Sequence, residues 1–81
     1  MAAQLAVDLH LSLEDSLALV AAVSRLPATW SIAIRDPSPQ GPALQLSVAG
    51  PGFVTVGGVR REAVAEDAIT LISLEFERRG V

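Results

Sequence analysis

Three short segments in the middle of the chain alternate apolar and polar residues, and this alternation constrains the fold more than any other feature. Residues 30–35, 43–49 and 53–56 each place a large apolar side chain at every second position. A period of two is typical of strands that bury one face. A loop with three prolines at 36–42 and the Gly-Pro-Gly at 50–52 separate the segments. The sequence therefore predicts an antiparallel three-stranded meander.

The alternation also predicts which side chains the strands bury. Phe53 has the opposite parity to its valine neighbours, which indicates the outward face, where an exposed aromatic side chain can anchor an interface. The alternative is that the Gly-Pro-Gly turn twists Phe53 back against the edge of the sheet. Gly57 and Gly58 are expected to let the chain turn sharply into a helix. The predicted inward residues are the large apolar ones at alternate positions: Trp30, Ile32, Ile34, Leu44, Leu46, Val48, Val54 and Val56.

A strand and a helix are predicted before the meander. Residues 5–11 alternate leucine or valine with smaller or polar residues, which indicates a strand ending near Leu11; a helix that begins earlier is the alternative. Ser12 followed by Asp15 is typical of a helix N-cap, and Pro27 ends a helix that runs to about Arg25. Its apolar residues form two neighbouring rows, one of Leu13, Leu17, Val20 and Ala21 and the other of Leu19, Val23 and Leu26.

From about Arg60 the apolar period becomes that of a helix. The first turn carries Glu62 and the last turn carries Arg78 and Arg79, which suits the helix dipole. Gly80 is predicted to end the helix. The predicted inward face consists of Ala65, Ala68, Ile69, Ile72 and Phe76.

Together these elements predict one α+β domain over residues 1–81, in the order β-α-β-β-β-α. Because each strand has one apolar face, we expect a two-layer sandwich with both helices on one face of the sheet. The other face would be open, with small and polar side chains that are either solvated or covered by a partner. The predicted partner-binding residues are Asp8, His10, Ala33, Arg35, Gln45, Ser47, Phe53 and Thr55.

Composition narrows the classes of function. The net charge is −3, and the six basic residues are arginines scattered along the chain, which argues against a nucleic-acid surface of clustered cations. There is no cysteine and only one histidine, so disulfides and Cys/His metal sites are excluded and no cofactor is expected.

The low charge of the chain favours a covered apolar surface. The charged fraction is 19% and the mean hydropathy is +0.46, so we expect a protein partner or a second copy to cover part of the molecule. The N-terminus lacks the pattern of a signal peptide. No apolar run reaches the roughly 20 residues of a membrane span, so the expected location is the cytoplasm.

The glycines at 50–58 precede a helix, as the glycines of a phosphate-binding loop do. A P-loop also needs a lysine, and this chain has none. The spacing of a dinucleotide fingerprint is missing as well. A helix N-terminus beside Arg60 and Arg61 can still hold an anion, but a turn, a strand and a helix start are the preferred interpretation.

Catalysis would have to use the single histidine. His10 and Asp8 lie two residues apart on the predicted strand, and Ser31 or Ser47 could complete a trio. No nucleophile elbow of the Gly-x-Ser-x-Gly type is present, and small β proteins offer such trios by chance. The sequence therefore predicts a protein that is not an enzyme.

One stretch resembles a known family. PGFVTVGGVRREAVA, at 51–65, is similar to the signature of HicB-like antitoxins, in which Pro-Gly, a short strand, Gly and then Glu-Ala lead into a helix. The resemblance covers residues 29–72, with Gly58 and Val59 in place of the family's Asp and Thr. It implies a partial double-stranded RNA-binding-domain fold, neutralisation of a partner toxin, and oligomerisation.

The predicted function is that of a non-catalytic protein-binding module: an antitoxin-like, inhibitor or adaptor domain that occludes a protein partner as a homo-oligomer. A small inhibitor of a host defence complex, borne by a phage or mobile element, falls in the same class. An RNA- or ribosome-associated domain is the alternative class, since the first helix completes the double-stranded RNA-binding topology, although topology does not define function. A small enzyme using His10 is the third hypothesis.

Overall fold

The computed structural model describes residues 3–37 and 41–79, which form a four-stranded mixed sheet and two α-helices. The strand order is β1-β2-β3-β4, with β1 parallel to β2 and the other pairs antiparallel. The α+β class and the order β-α-β-β-β-α are as predicted. The elements are β1 (Gln4–Val7), α1 (Leu13–Val23), β2 (Ser31–Arg35), β3 (Ala43–Gly50), β4 (Phe53–Arg60), a 3-10 turn (Arg61–Ala63) and α2 (Val64–Arg79).

The N-terminal segment contains a strand, as predicted, but β1 is shorter than the expected 5–11. Its pairing with β2 ends where the backbone N–H of Asp8 donates to the carbonyl of Ile34 at 2.9 Å. β2 itself ends at Arg35, so the residues after Asp8 have no strand to pair with. They connect β1 to α1, which carries the chain back to the start of β2 and makes β1 and β2 parallel.

The start of α1 follows the predicted cap. The Oγ of Ser12 accepts a hydrogen bond from the backbone N–H of Asp15 at 3.1 Å, which satisfies one of the donors left open in the first turn. Of the two apolar rows of this helix, the row of Leu19 and Val23 is buried and continues into Leu26.

One core joins the sheet to the helices. α1 and α2 contact each other, α2 also contacts β3 and β4, and α1 contacts β1. Trp30 is buried and meets Phe53 and Phe76 edge to face, with ring centroids 5.0 and 6.0 Å apart. The largest side chains that are almost fully buried are Leu19, Ile32, Ile34, Leu44, Leu46, Val48 and Val59.

α2 buries the predicted face, with Ala65, Ala68 and Ile72 in the core. Its α-helical part begins at Val64, after the 3-10 turn, rather than near Arg60. The predicted helix end at Gly80 lies outside the described residues.

α2 also buries Glu75, which is 3% exposed. The carboxylate of Glu75 pairs with Arg78 at 3.6 Å and with Arg79 at 3.3 Å. The guanidinium of Arg79 in turn lies 4.0 Å from the centroid of the Phe53 ring. These contacts compensate a carboxylate in the interior, which would be costly without partners.

The prediction of which β4 residues face the core is wrong by one position. A two-residue turn, Pro51-Gly52, joins β3 to β4, and Gly52 has the positive φ of 80° that the second central position of a type II turn requires. Gly50 is therefore paired with Phe53, and paired residues share a face of the sheet. Phe53 and Thr55 consequently lie on the core side, while Val54 and Val56 lie on the opposite side.

Gly57 and Gly58 are also placed differently from the prediction. They do not form a hinge between strand and helix but continue β4, because β3 is eight residues long and offers partners as far as Arg60. Gly57 lies on the core side, where a Cβ atom would stand 3.1 Å from Cδ1 of Leu71. The glycine therefore lets α2 approach the sheet closely.

Candidate protein-binding surfaces

One face of the sheet carries the exposed and half-buried residues of the described strands, and we call it the open face. Strand register aligns its residues in rows across the sheet. One row is Ala6, Ala33, Ser47 and Val56, and the next is Gln4, Ser31, Ala49 and Val54. Val54 and Val56 are 70% and 53% exposed. The open face thus has small side chains on the inner strands and two exposed valines along β4.

Five of the predicted partner-binding residues lie together on this face. Ala33 pairs with Ser47, and Arg35 pairs with Gln45, on the adjacent strands β2 and β3. Asp8 directly follows β1 at the level of Arg35 and is exposed. These five residues form one contiguous part of the open face.

The other three predicted residues do not belong to it. Phe53 and Thr55 lie on the core side of β4 because Gly50 is paired with Phe53, and Phe53 packs against Trp30. His10 is exposed but lies in the connection between β1 and α1, outside the sheet. Ser31 is at the far end of β2, about 13 Å along the strand from the level of Asp8, so the sheet does not assemble that serine with Asp8.

Sequence reasoning missed the two valines that dominate the open face. Assigning Val54 and Val56 to the core rested on hydrophobicity alone. The turn contained the better signal, because a two-residue connection pairs Gly50 with Phe53 and so determines the face of every residue in β4.

A second exposed apolar surface lies on α1, and we call it the α1 stripe. It consists of Leu13, Leu17 and Val20, which are 76%, 60% and 55% exposed. These three residues belong to the first of the two predicted rows, and the residues of the other row are buried in the core. Beside it, a groove of about 110 Å³ runs between α1 and β1, lined by Leu5, Val7, Leu9, Leu11, Ser16, Leu19 and Val20.

Most of the cationic groups are already neutralised by carboxylates. Arg60 donates from Nε to Oδ2 of Asp67 at 2.9 Å and from Nη2 to Oδ1 at 3.0 Å, and its backbone N–H also donates to Oδ2 at 3.0 Å. The hydrogen bonds from Arg60 lower the pKa of Asp67 to about 2. This pair ties the end of β4 to the first turn of α2.

Arg61 is held just as firmly by residues from the loop before β3. Its guanidinium donates to both carboxylate oxygens of Asp36 at 2.8 and 2.9 Å and also to the carbonyl of Gly41. The hydrogen bond to Asp36 raises the pKa of Arg61. With Arg78 and Arg79 on Glu75, four of the six arginines are in ion pairs within the described part of the chain. An anion site at Arg60 and Arg61 would have to displace these carboxylates.

Comparisons with known protein families, with curated proteins and with solved structures find no match for this chain. The resemblance to HicB-like antitoxins therefore stays a prediction. Across residues 3–37 and 41–79, neither helix has the length and hydropathy needed to span a membrane.

Proposed function

We propose that this protein is a non-catalytic protein-binding module that covers a surface of a protein partner with its open face. The observation that carries the proposal is the exposure of Val54 and Val56 beside rows of small side chains on the sheet. Burying the valines in an interface would remove apolar surface from water. The alanines, serines and glycine around them lose little side-chain entropy when they become ordered.

The charges of the open face favour a protein partner over a nucleic acid. Arg35 and Arg60 are its only cationic residues among those the structure describes, and Arg60 is paired with Asp67. Affinity for nucleic acid comes largely from unpaired cations that meet phosphates. The order of helices and strands therefore agrees with the RNA-associated alternative, but the open face lacks the cationic surface that RNA binding needs.

Within this class, the resemblance to HicB-like antitoxins supports an antitoxin-like role, acting in the cytoplasm as a homo-oligomer. An inhibitor of a host defence complex, encoded by a phage or mobile element, would use the same surface in the same way. In each case the protein acts by occlusion, which needs shape and apolar area rather than a catalytic group.

The proposal is tested by placing a charge in the centre of the open face. The tagged protein is used to capture partners from a lysate of its source cells, and Ser47→Arg is compared with Thr70→Arg. Thr70 is exposed on α2, so this control adds the same charge away from the sheet. We expect Ser47→Arg to lose a partner that the wild type and Thr70→Arg both retain. Retention of every captured protein by Ser47→Arg would contradict the proposal.

RNA binding is tested directly with a labelled RNA duplex at low ionic strength. We expect no change in fluorescence anisotropy on addition of the protein. Binding that weakens as salt is added would instead favour the RNA-associated alternative.

A further inference from the structure

The α1 stripe forms a continuous apolar line on the outside of the molecule. Leu13, Leu17 and Val20 follow one another at spacings of four and three residues, so they lie on one line along the helix. Each is more than half exposed. Such a line has the geometry of a seam between two helices.

The charges beside this seam are arranged in a self-complementary way. Glu14 lies in the first turn of α1, and Arg25 follows its last turn, where the backbone N–H of Arg25 bonds to the carbonyl of Ala22. At 3.6 residues per turn, Glu14 lies roughly 100° around the axis from the stripe. Continuing the same rotation past the end of the helix sets Arg25 on the same flank. Both are exposed, and neither forms an ion pair with any residue that the structure describes.

We infer that the α1 stripe packs against the α1 stripe of a second copy, with the two helices antiparallel. A twofold axis perpendicular to both helices sets Leu17 beside Val20 of the second copy and Leu13 beside Ser24 of the second copy. The same operation brings Glu14 to Arg25 of the second copy, with a difference of roughly 3 Å along the axis that these long side chains span. Because the interface is isologous, this ion pair occurs twice.

The charge pattern selects this arrangement over a parallel one. In a parallel pair the twofold axis runs along the seam and carries the charged flanks of the two copies to opposite sides of it. Glu14 and Arg25 of different copies would then also lie roughly 16 Å apart along the helix axis, too far for an ion pair. Only the antiparallel arrangement joins these two residues.

The same pattern favours a second copy over a foreign partner. A foreign helix would need to carry the charges in reverse order beside its own apolar line, whereas the chain itself already carries them. The dimer leaves the open face free, so this inference does not depend on the open face being the partner surface.

The test uses charge reversal at the two ends of the seam, with dimer affinity measured by sedimentation equilibrium. The wild type is expected to dimerise, and Glu14→Arg and Arg25→Glu are each expected to weaken the dimer about tenfold, since each turns two attractive pairs into repulsive ones. Mixing the two variants is expected to yield heterodimers in excess over both homodimers in native mass spectrometry. In the mixed dimer both pairs again join opposite charges, one pair as in the wild type and the other with its two charges exchanged.

Two further variants show whether the seam itself holds the copies together. Glu62 is exposed in the 3-10 turn before α2, outside α1, so Glu62→Arg is the matched control and should dimerise as the wild type does. Leu17→Arg should be monomeric with an unchanged circular dichroism spectrum. A wild-type protein that stays monomeric, single variants that dimerise with wild-type affinity, or a mixture without excess heterodimer would each overturn the inference.

Discussion

At the scale of single residues, the turn between β3 and β4 shows how one missing Cβ atom can organise an aromatic cluster. A Cβ atom on Gly50 would stand 2.5 Å from Cε1 of Phe53 and 3.1 Å from Cδ1 of Trp30. The ring of Phe53 occupies that space. There it packs edge to face against Trp30, and the guanidinium of Arg79 lies over its face. The residue expected to anchor a partner is thus part of the core because its neighbour is a glycine.

Gly50→Ala tests this arrangement. The added methyl group would displace the Phe53 ring from Trp30, so we expect the free energy of unfolding to fall by about 1–3 kcal/mol. Gly58→Ala is the control, because the nearest atom to its Cβ position is 4.0 Å away, and we expect a change within about 0.5 kcal/mol. Urea denaturation of the two variants measures both changes; equal losses of stability would contradict the role assigned to Gly50.

The ion pair between Asp67 and Arg60 predicts how the stability of the fold changes with pH. Hydrogen bonds from Arg60 hold its pKa at about 2 instead of the ordinary 3.8. A lowered pKa in the folded state means that the pair stabilises the fold above the unfolded pKa and loses this contribution as pH falls towards about 2. The stability difference between wild type and Asp67→Asn should therefore be constant from neutral pH to about 5 and shrink below about 4. A difference that persists undiminished at the lowest pH would show that the charge of Asp67 contributes nothing.

At the scale of elements, β4 and α1 both show that a periodic pattern determines the spacing of apolar residues but leaves their facing undecided. In β4, Phe53 and the two valines at 54 and 56 cannot all face the core, because neighbouring residues of a strand point to opposite faces. The length of the preceding turn determines that Phe53 faces the core. In α1 the two rows are about equally apolar. The packing of the helix on α2 and β1 buries Leu19 and Val23 and leaves the α1 stripe outside.

Replacing valine by threonine on either side of β4 tests its register. Val59 is buried on the core side, so Val59→Thr places a hydroxyl group in the core and should cost about 1–3 kcal/mol of unfolding free energy. Val54→Thr keeps the shape of the side chain on the open face and should change stability by less than about 0.5 kcal/mol. If thermal or urea denaturation showed a larger loss of stability for Val54→Thr than for Val59→Thr, Val54 would face the core, as its hydrophobicity had suggested.

At the scale of the whole molecule, the described residues include two exposed apolar surfaces, the open face and the α1 stripe. If the α1 stripe joins two copies, dimerisation stabilises the folded state by mass action. The Tm of the wild type should then rise by roughly 5 °C or more over a hundredfold increase in protein concentration. Leu17→Arg should show a Tm that is independent of concentration, and a concentration-independent Tm for the wild type would argue against assembly.

Much of the fold could be predicted from local patterns. The order of the elements, the Ser12 cap, the antiparallel meander and the core face of α2 each follow from periodicity or from the chemistry of a few adjacent residues. The candidate site was predicted only in part. Ala33, Arg35, Gln45 and Ser47 lie on the open face as expected, because their strands alternate without ambiguity.

The sequence by itself determined the order of the strands and helices and where α1 begins, because these depend on backbone preferences and on apolar spacing within about ten residues. Only the tertiary structure decided which face of β4 and which row of α1 meets the core, and which arginines meet carboxylates. Those outcomes depend on register and on contacts between residues far apart in sequence, such as Arg61 with Asp36 and Gly57 with Leu71. These contacts also leave the open face and the α1 stripe exposed, and the proposed partner binding and dimerisation use those two surfaces.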